Sequence, residues 1–284
     1  MKVTIYAGYA GDRNARGMRG AVDLGKAIAE FYGATSEIAG EAIDPVLGGW
    51  KAQLKSAFPT LQSLAAKIEE RFESGEPLIL TTGRCAASLA TLPVVARRYP
   101  DAAIVWFDAH GDSNRPSDDA STDASYLGGM VITGAAGEWE TGLGGGLDFA
   151  NVILAGARDL DPPEQARIDA GEICLIPPGA GLGSRLKDAI GGRQVYIHLD
   201  CDVLTAGLVA TEYQVPGGLQ WIDLREAFDI LACHEVVGLE IAEYEASWPD
   251  GRPNDPGPLL VAIQPVLDGL LGSRQANSSE PQFF

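Results

Sequence analysis

Positive charge, cysteine and long apolar runs are all scarce in this sequence of 284 residues. It has 21 Lys and Arg residues against 39 Asp and Glu residues, and the formal net charge of −18 argues against nucleic acid or an anionic membrane as a partner. No apolar stretch reaches the roughly 20 residues that span a bilayer, and the N-terminal run lacks the apolar core of a signal peptide. We therefore expect a cytoplasmic protein that acts on small molecules.

The cysteines do not form a recognisable framework. Cys85, Cys174, Cys201 and Cys233 are widely and irregularly spaced, and no CxxC pair occurs. In a chain of this length the pattern predicts free thiols in a reducing compartment, and it argues against a structural zinc site.

Short apolar runs alternate with helical patterns along the chain. The near-continuous Val, Ile and Leu runs are typical of strands covered on both faces, and we predict strands at Lys2–Ala7, Leu78–Thr82, Ala103–Phe107, Asn151–Ala155, Glu172–Ile176, Gln194–Leu199 and Glu235–Ile241. Helices are predicted at Ala21–Phe31, Ala52–Glu73, Ala87–Arg98, Pro163–Ala170 and Trp221–Leu231. Residues 128–146 and 177–183 are glycine-rich and predicted to be loops, and 273–284 a loose tail. The alternation predicts one α/β domain over 1–284, a three-layer α/β/α sandwich around a mostly parallel, doubly wound sheet.

Acidic motifs follow two of the predicted strands directly. One reads Asp108-Ala-His110-Gly-Asp112 and the other reads Asp200-Cys-Asp202. Ligands collect at the carboxyl ends of strands in such sheets, and charged residues there are seldom buried unless they are paired or bind metal. Four close carboxylates would repel one another unless cations neutralise them, and two divalent ions about 3.5–4 Å apart would do so and generate a nucleophilic hydroxide. The alternative for each aspartate alone is a helix N-cap.

Histidine is scarce as well, with three residues in the chain. His110 lies inside the first acidic motif and is a candidate metal ligand. His198 and His234 stand apart from other candidate ligands, and we interpret both as ordinary structural residues.

The two acidic motifs resemble those of the ureohydrolases, the family of arginase, agmatinase and formiminoglutamase. That family has a DAHxD run, a later DxD run and an earlier Gly-Gly-x-His-Ser segment, which together bind two manganese ions. The resemblance covers well over half of the chain. It implies that Asp108 and Asp200 bridge two Mn²⁺ ions, that Asp112 ligates one ion, and that His110 and Asp202 ligate the other.

The earlier segment departs from the family pattern. It reads Leu80-Thr-Thr-Gly-Arg-Cys85-Ala-Ala-Ser88, so Cys85 stands where the family has its histidine. A thiolate is a competent ligand, and its softness favours zinc or iron over manganese. The alternative is that Cys85 is a small buried residue and that one metal lacks a ligand.

A second departure concerns proton transfer. Arginases carry a histidine in an Asn-Leu-His-Gly loop, whereas the matching stretch here is Ser125-Tyr-Leu-Gly128-Gly-Met130. The resemblance therefore implies slow turnover of any substrate that depends on that histidine.

The substrate-binding positions resemble the family more closely. In the Arg-Asp-Leu-Asp-Pro-Pro-Glu run, Asp161 and Glu164 match the acidic residues that hold the substrate α-amino group. Asn114 matches the residue that binds the α-carboxylate, and Glu243 matches the glutamate that pairs with the guanidinium. The alternative for Asp161 and Glu164 is that they cap the following helix.

A narrower resemblance is to the branch of the family that cleaves Nω-hydroxy-L-arginine to L-ornithine and hydroxyurea in D-cycloserine biosynthesis. It depends on Cys85, the Tyr-Leu-Gly-Gly-Met run and the stretch Ser88–Ala96. It implies that a metal-bridging hydroxide attacks the guanidine carbon while Asp112 relays a proton to the leaving amine and Glu243 orients the guanidine group.

Other assignments remain open on the sequence alone. One is an arginase, an agmatinase or a guanidino-acid ureohydrolase that acts on another substrate. Another is a catalytically weak, metal-binding descendant of the family, which the changes at Cys85 and Gly128 would favour. The family commonly forms trimers or hexamers, so a homo-oligomer is a further expectation.

Overall fold

The computed structural model describes residues 1–42, 46, 48–116 and 126–272. Ser125 and the predicted tail at 273–284 lie outside the described residues. The described residues form eight strands: β1 (Lys2–Tyr6), β2 (Thr35–Ala39), β3 (Leu78–Thr81), β4 (Ala103–Phe107), β5 (Val152–Ala155), β6 (Cys174–Ile176), β7 (Val195–Asp200) and β8 (Val236–Ala242). All eight belong to one sheet in the order β2-β1-β3-β8-β7-β4-β5-β6, and each pairing is parallel.

Helices cover both faces of this sheet. They are α1 (Arg16–Tyr32), α2 (Trp50–Glu73), α3 (Ser88–Arg98), α4 (Val131–Ala136), α5 (Pro162–Asp169), α6 (Leu182–Ile190), α7 (Trp221–Leu231) and α8 (Gly257–Leu271). Apolar side chains of α1, α6, α7 and α8 pack on one face, and those of α2, α3 and α4 pack on the other. The predicted three-layer sandwich with a parallel sheet is therefore confirmed.

The central strands are apolar on both faces because helices cover both. In β4, Ala103, Val105 and Phe107 point into one layer of the core, while Ile104 and Trp106 point into the other. All five side chains are buried, so the strand shows a continuous apolar run rather than an alternating one. Among the described residues, no helix combines the length and apolarity that a membrane crossing requires.

The structure also corrects the predicted elements. Strand β2 was not predicted because it is an edge strand with mostly exposed side chains and carries almost no apolar signal. The predicted loop at 128–146 contains α4, whose apolar residues are buried against α3 despite the surrounding glycines. The predicted loop at 177–183 ends within α6, which begins at Leu182. Helix α8 was also missed, since Pro265 interrupts its pattern.

Candidate active site

The carboxyl ends of the four central strands, β3, β8, β7 and β4, form one edge of the sheet. They position Cys85 after β3, Asp108 and Asp112 after β4, Asp200 at the end of β7 and Glu243 after β8. Every predicted site residue except Asp108 lines one cavity of about 320 Å³, and Asp108 is buried against that lining. The topology thus brings together motifs that lie up to 158 residues apart in the sequence.

A first group of possible metal ligands combines a thiol with two carboxylates. Cys85 Sγ and one oxygen each from Asp108 and Asp200 lie within 4.8 Å of one another. The thiol donates a hydrogen bond to Oδ2 of Asp200 at 3.0 Å. A sulfur ligand beside two hard oxygens suits a divalent transition metal.

Asp108 also belongs to a second group, with His110 and Asp202. Nδ1 of His110 lies 3.1 Å from Oδ1 of Asp108 and 3.0 Å from Oδ2 of Asp202. Because Asp108 is common to both groups, its position is suited to bridging two cations. Asp200 belongs only to the first group, and its bridging role stays a prediction.

Asp112 and Glu243 share an unusual backbone conformation. Among the described residues they are the two non-glycine residues with positive φ, at 45° and 61°. Both line the cavity, and Oδ2 of Asp112 is buried without a hydrogen-bond partner. Strained backbone and unsatisfied buried oxygens of this kind cluster at functional sites, where a ligand can complete the contacts.

Burial and mutual repulsion dominate the electrostatics of the cluster. Burial raises the pKa of Asp112 well above its ordinary value, and the charge of Asp108 adds to the effect. Burial likewise raises the pKa of Asp200, and the negative charge of Asp202 raises it further. Burial also raises the pKa of the Cys85 thiol. Bound cations would stabilise such a site because they neutralise all of these groups at once.

Backbone amides fix the orientation of the ligand carboxylates. The N–H of His110 donates to Oδ1 of Asp108 at 2.7 Å, and the N–H of Ala109 donates to Oδ1 of Asp202 at 3.0 Å. The N–H of Asp202 donates to Oδ1 of Asp200 at 2.7 Å. The second oxygen of Asp108 accepts a hydrogen bond from Nε1 of Trp106 at 3.0 Å, so these carboxylates are oriented before any metal binds.

The interpretation of His198 as an isolated residue is wrong. Its Nε2 lies 3.2 Å from Cys85 Sγ, and its Nδ1 lies 3.2 Å from Ser88 Oγ and 3.5 Å from an oxygen of Glu240. Its ring stacks on Trp106 with a centroid distance of 3.5 Å and an interplanar angle of 6°. His198 therefore supports the thiol from the layer behind the site.

The residues predicted to hold the amino-acid end of a substrate contact one another. Asn114 Nδ2 donates to Oδ2 of Asp161 at 2.7 Å. Both oxygens of Glu164 accept backbone hydrogen bonds, from Ser113 and from Asp161, each at 2.9 Å. Glu164 therefore caps α5, as the alternative interpretation expected, and a Cβ at Gly111 would lie 2.7 Å from its carboxyl carbon.

The cavity also contains residues that sequence reasoning missed. Tyr126, Tyr213 and Arg13 line it, and Arg13 lies over the Tyr126 ring at 5.2 Å from the centroid. A Cβ at Gly128 would lie 2.6 Å from the Tyr126 ring, so this tyrosine fills the space beside Gly128. Tyr126 belongs to the Tyr-Leu-Gly-Gly-Met run but was not assigned to the site, and no motif marks Arg13 or Tyr213, which come from separate loops.

The carboxylate of Glu243 already has two partners within the protein. Its Oε2 accepts a hydrogen bond from Nη1 of Arg84, and its Oε1 lies 3.4 Å from the N–H of Cys85. Burial raises the pKa of Glu243 to about 8, although the charge of Arg84 opposes this shift.

Comparisons with known proteins agree with this geometry. The profile of the Arginase family matches residues 45–250. An N(omega)-hydroxy-L-arginine amidinohydrolase from Streptomyces lavendulae is 34% identical over 277 residues, covering 98% of each chain. An arginase from Bacillus caldovelox is 28% identical over 200 residues, covering 65% of this chain and 66% of that protein. The structure of an arginase from Bacillus subtilis superposes with a TM-score of 0.76 at 21% identity, covering 96% of this chain and 99% of the other.

Fold and site together define a hydrolase with a carboxylate-rich cluster at the strand ends. The chain belongs to the arginase family, as the family match and the 34% identical relative show, and it is an amidinohydrolase of that family. This family depends on a binuclear metal centre, and the two overlapping ligand groups around Asp108 fit such a centre.

Proposed function

We propose that the protein hydrolyses Nω-hydroxy-L-arginine to L-ornithine and hydroxyurea. One observation carries the proposal: Cys85 lies within 4.8 Å of carboxylate oxygens of Asp108 and Asp200. It lines the same cavity as Gly128, where a Cβ would lie 2.6 Å from the ring of Tyr126. The 34% identical relative from Streptomyces lavendulae, named for the same reaction, supports it.

The metal ligands in this proposal are the residues of the two groups together with Asp112. Cys85, Asp108 and Asp200 would hold one divalent cation, and Asp108, His110 and Asp202 the other. Manganese is the metal that the family resemblance implies, while the sulfur of Cys85 favours zinc or iron. When bound, the cations supply a nucleophilic hydroxide at neutral pH and stabilise the negative charge that develops on the amidine carbon's substituents.

The remaining chemistry falls to side chains that face the cavity. Asp112, with its free Oδ2, is placed to relay a proton toward the leaving amine. Glu243 orients the guanidine-type group through its carboxylate. Asp161 and Asn114, which also line the cavity, would receive the α-amino and α-carboxylate groups, and Arg13 would add a positive charge to the lining.

The chemistry of the substrate explains why the site can operate without the loop histidine. An N-hydroxyguanidine is less basic and less resonance-stabilised than a guanidinium, so its central carbon is more electrophilic. Such a substrate needs less assistance from a general acid or base than arginine does. The hydroxylated substrate can therefore be turned over even though Tyr126, and no histidine, fills the space beside Gly128.

A panel of substrates tests the proposal. Purified protein loaded with manganese would be assayed for hydroxyurea from Nω-hydroxy-L-arginine, urea from L-arginine, agmatine and guanidino acids, and formamide from formimino compounds. We expect hydroxyurea as the dominant product, with kcat/KM at least about 100-fold above that for L-arginine. Comparable values for the two amino acids would contradict the proposal, and no turnover of any compound would favour a catalytically weak descendant.

A further inference from the structure

Arg84 is a fully buried arginine in the layer directly behind the cavity. Its guanidinium contacts four carboxylates, and these belong to Asp12, Glu212, Glu243 and Glu245. The contact with Glu245 is 3.1 Å long, and Nε lies 3.5 Å from an oxygen of Asp12. Arg84 immediately precedes Cys85, so the turn after β3 places both the thiol and this cation at the site.

Of those four carboxylates, Glu243 lines the cavity and the other three do not. Nη1 of Arg84 donates to Oε2 of Glu243, and the N–H of Cys85 approaches Oε1. The residue that would bind a substrate guanidine is therefore already paired with a guanidinium of the protein. A guanidinium that pairs with this carboxylate would lie beside the guanidinium of Arg84, which has no uncharged form in proteins.

We propose that Arg84 determines substrate specificity by disfavouring cationic guanidiniums at Glu243 and admitting guanidine-type groups that are weakly basic enough to exist in a neutral form near pH 7, such as the neutral form of an N-hydroxyguanidine. The inference rests on the proposed function and explains its selectivity. An uncharged group still donates hydrogen bonds to the free lone pairs of the Glu243 carboxylate. A cationic group meets the positive charge of Arg84 at close range in a buried site, and this repulsion offsets part of its attraction to the surrounding carboxylates.

A purely structural role for Arg84 makes a different prediction. Arg84 compensates several buried carboxylates, so its removal is expected to lower stability in either case. A structural role would weaken the binding of charged and uncharged ligands alike. A specificity role changes the ratio of the two affinities, and that ratio is the quantity to measure.

L-Arginine and L-citrulline provide the matched pair of ligands, because citrulline is the uncharged isostere of arginine. Their dissociation constants would be measured by calorimetry with metal-loaded protein, under conditions where neither is consumed. We expect Arg84→Gln to shift the ratio of the two affinities at least about tenfold in favour of arginine, and Arg84→Lys to leave it near the wild-type value. An unchanged ratio in Arg84→Gln would overturn the proposal.

Arg16 supplies the control within the same cluster. It donates to Oε2 of Glu245 at 2.8 Å, does not line the cavity and makes no contact with Glu243 among the described residues. Arg16→Gln therefore removes one positive charge nearby and should leave the affinity ratio unchanged. A shift in this variant equal to that of Arg84→Gln would also overturn the proposal, because the effect would then depend only on total charge.

Two further arms keep the test decisive. If Arg84→Gln does not fold, the double variant Arg84→Gln/Glu245→Gln removes a carboxylate that Arg84 compensates, and the same shift toward arginine is expected. Turnover of Nω-hydroxy-L-arginine by the wild type is scored separately from binding. Its absence would contradict the proposed function, whereas the affinity ratio tests the role of Arg84 with or without turnover.

Discussion

Sγ of Cys85 lies 3.2 Å from Nε2 of His198, a residue on a strand two places away in the sheet. The family pattern has a histidine at the position of Cys85. In this protein a different histidine, His198, lies directly behind the sulfur of Cys85. Its second nitrogen is held by Ser88, and its ring by stacking on Trp106. Partners of this kind orient a metal ligand and tune its basicity.

We therefore predict that His198→Asn weakens metal binding through Cys85. The affinity for the divalent ion at the group of Cys85, Asp108 and Asp200 should fall about 10- to 100-fold, as is typical when the partner of a ligand is removed. Calorimetric titration of the chelator-treated protein measures this change. In cobalt-substituted protein, the sulfur-to-cobalt charge-transfer absorption should also weaken.

His234→Asn is the matched control, because His234 lies between α7 and β8 and does not line the cavity. It should leave both the affinity and the absorption unchanged. Equal metal affinity in His198→Asn and the wild type would show that His198 serves only the packing of the core.

Asp108→Asn tests the residue that is common to both ligand groups. Loss of one charged oxygen from both groups should reduce bound metal to one ion per chain or fewer and lower hydroxyurea formation by more than about 100-fold. Metal analysis of the dialysed protein and the assay would be run on the same sample. Full turnover in a sample with normal metal content would contradict the assignment of Asp108.

Glu243→Gln separates substrate orientation from metal binding. The variant keeps the shape of the side chain and should retain both metals, because neither ligand group includes Glu243. It loses a charged acceptor, which we expect to lower kcat/KM by about 10- to 100-fold, mostly through KM. Steady-state kinetics checks the change, and kinetics identical to the wild type would refute the role.

Glu138 joins the segment after the acidic motif to α5, since it contacts both Arg115 and Arg167. Its hydrogen bond from Arg115 lowers its pKa below the ordinary 4.5, and Arg167 adds to the effect. A lowered pKa in the folded state contributes stability above the ordinary pKa, and this contribution is lost as the pH falls through the folded-state value.

Glu138→Gln should therefore lower the free energy of unfolding by about 1 kcal/mol at pH 7, a modest value because the carboxylate is partly solvated. The difference from the wild type should shrink as the pH falls below 4.5, as followed by urea denaturation. Glu73→Gln removes a more exposed partner of Arg98 and should change stability little. A deficit for Glu138→Gln that does not depend on pH would contradict the ion-pair explanation.

The grouping of the candidate metal ligands could be expected because their signals are local in sequence. Asp108, His110 and Asp112 lie within five residues after a buried strand, and such a motif indicates its chemistry before its fold is known. His198 and Arg84 could not be assigned in the same way. Their partners come from distant strands, and one sequence shows neither the pairing order of strands nor which side chain lies behind a ligand.

The fold shows a similar division. Strands buried on both faces, such as β4, were predicted because continuous apolar runs follow from double coverage. The exposed edge strand β2 lacks that signal, and α4 lies in a glycine-rich stretch whose composition indicated a loop. Both depend on tertiary packing rather than on local pattern.

The most direct test of the account is metal titration of chelator-stripped protein, with bound metal and hydroxyurea formation from Nω-hydroxy-L-arginine measured together. The overlapping ligand groups around Asp108 predict that activity rises until two ions are bound per chain and then reaches a plateau. Full activity at one ion or fewer, or no hydroxyurea with two ions bound, would contradict the account.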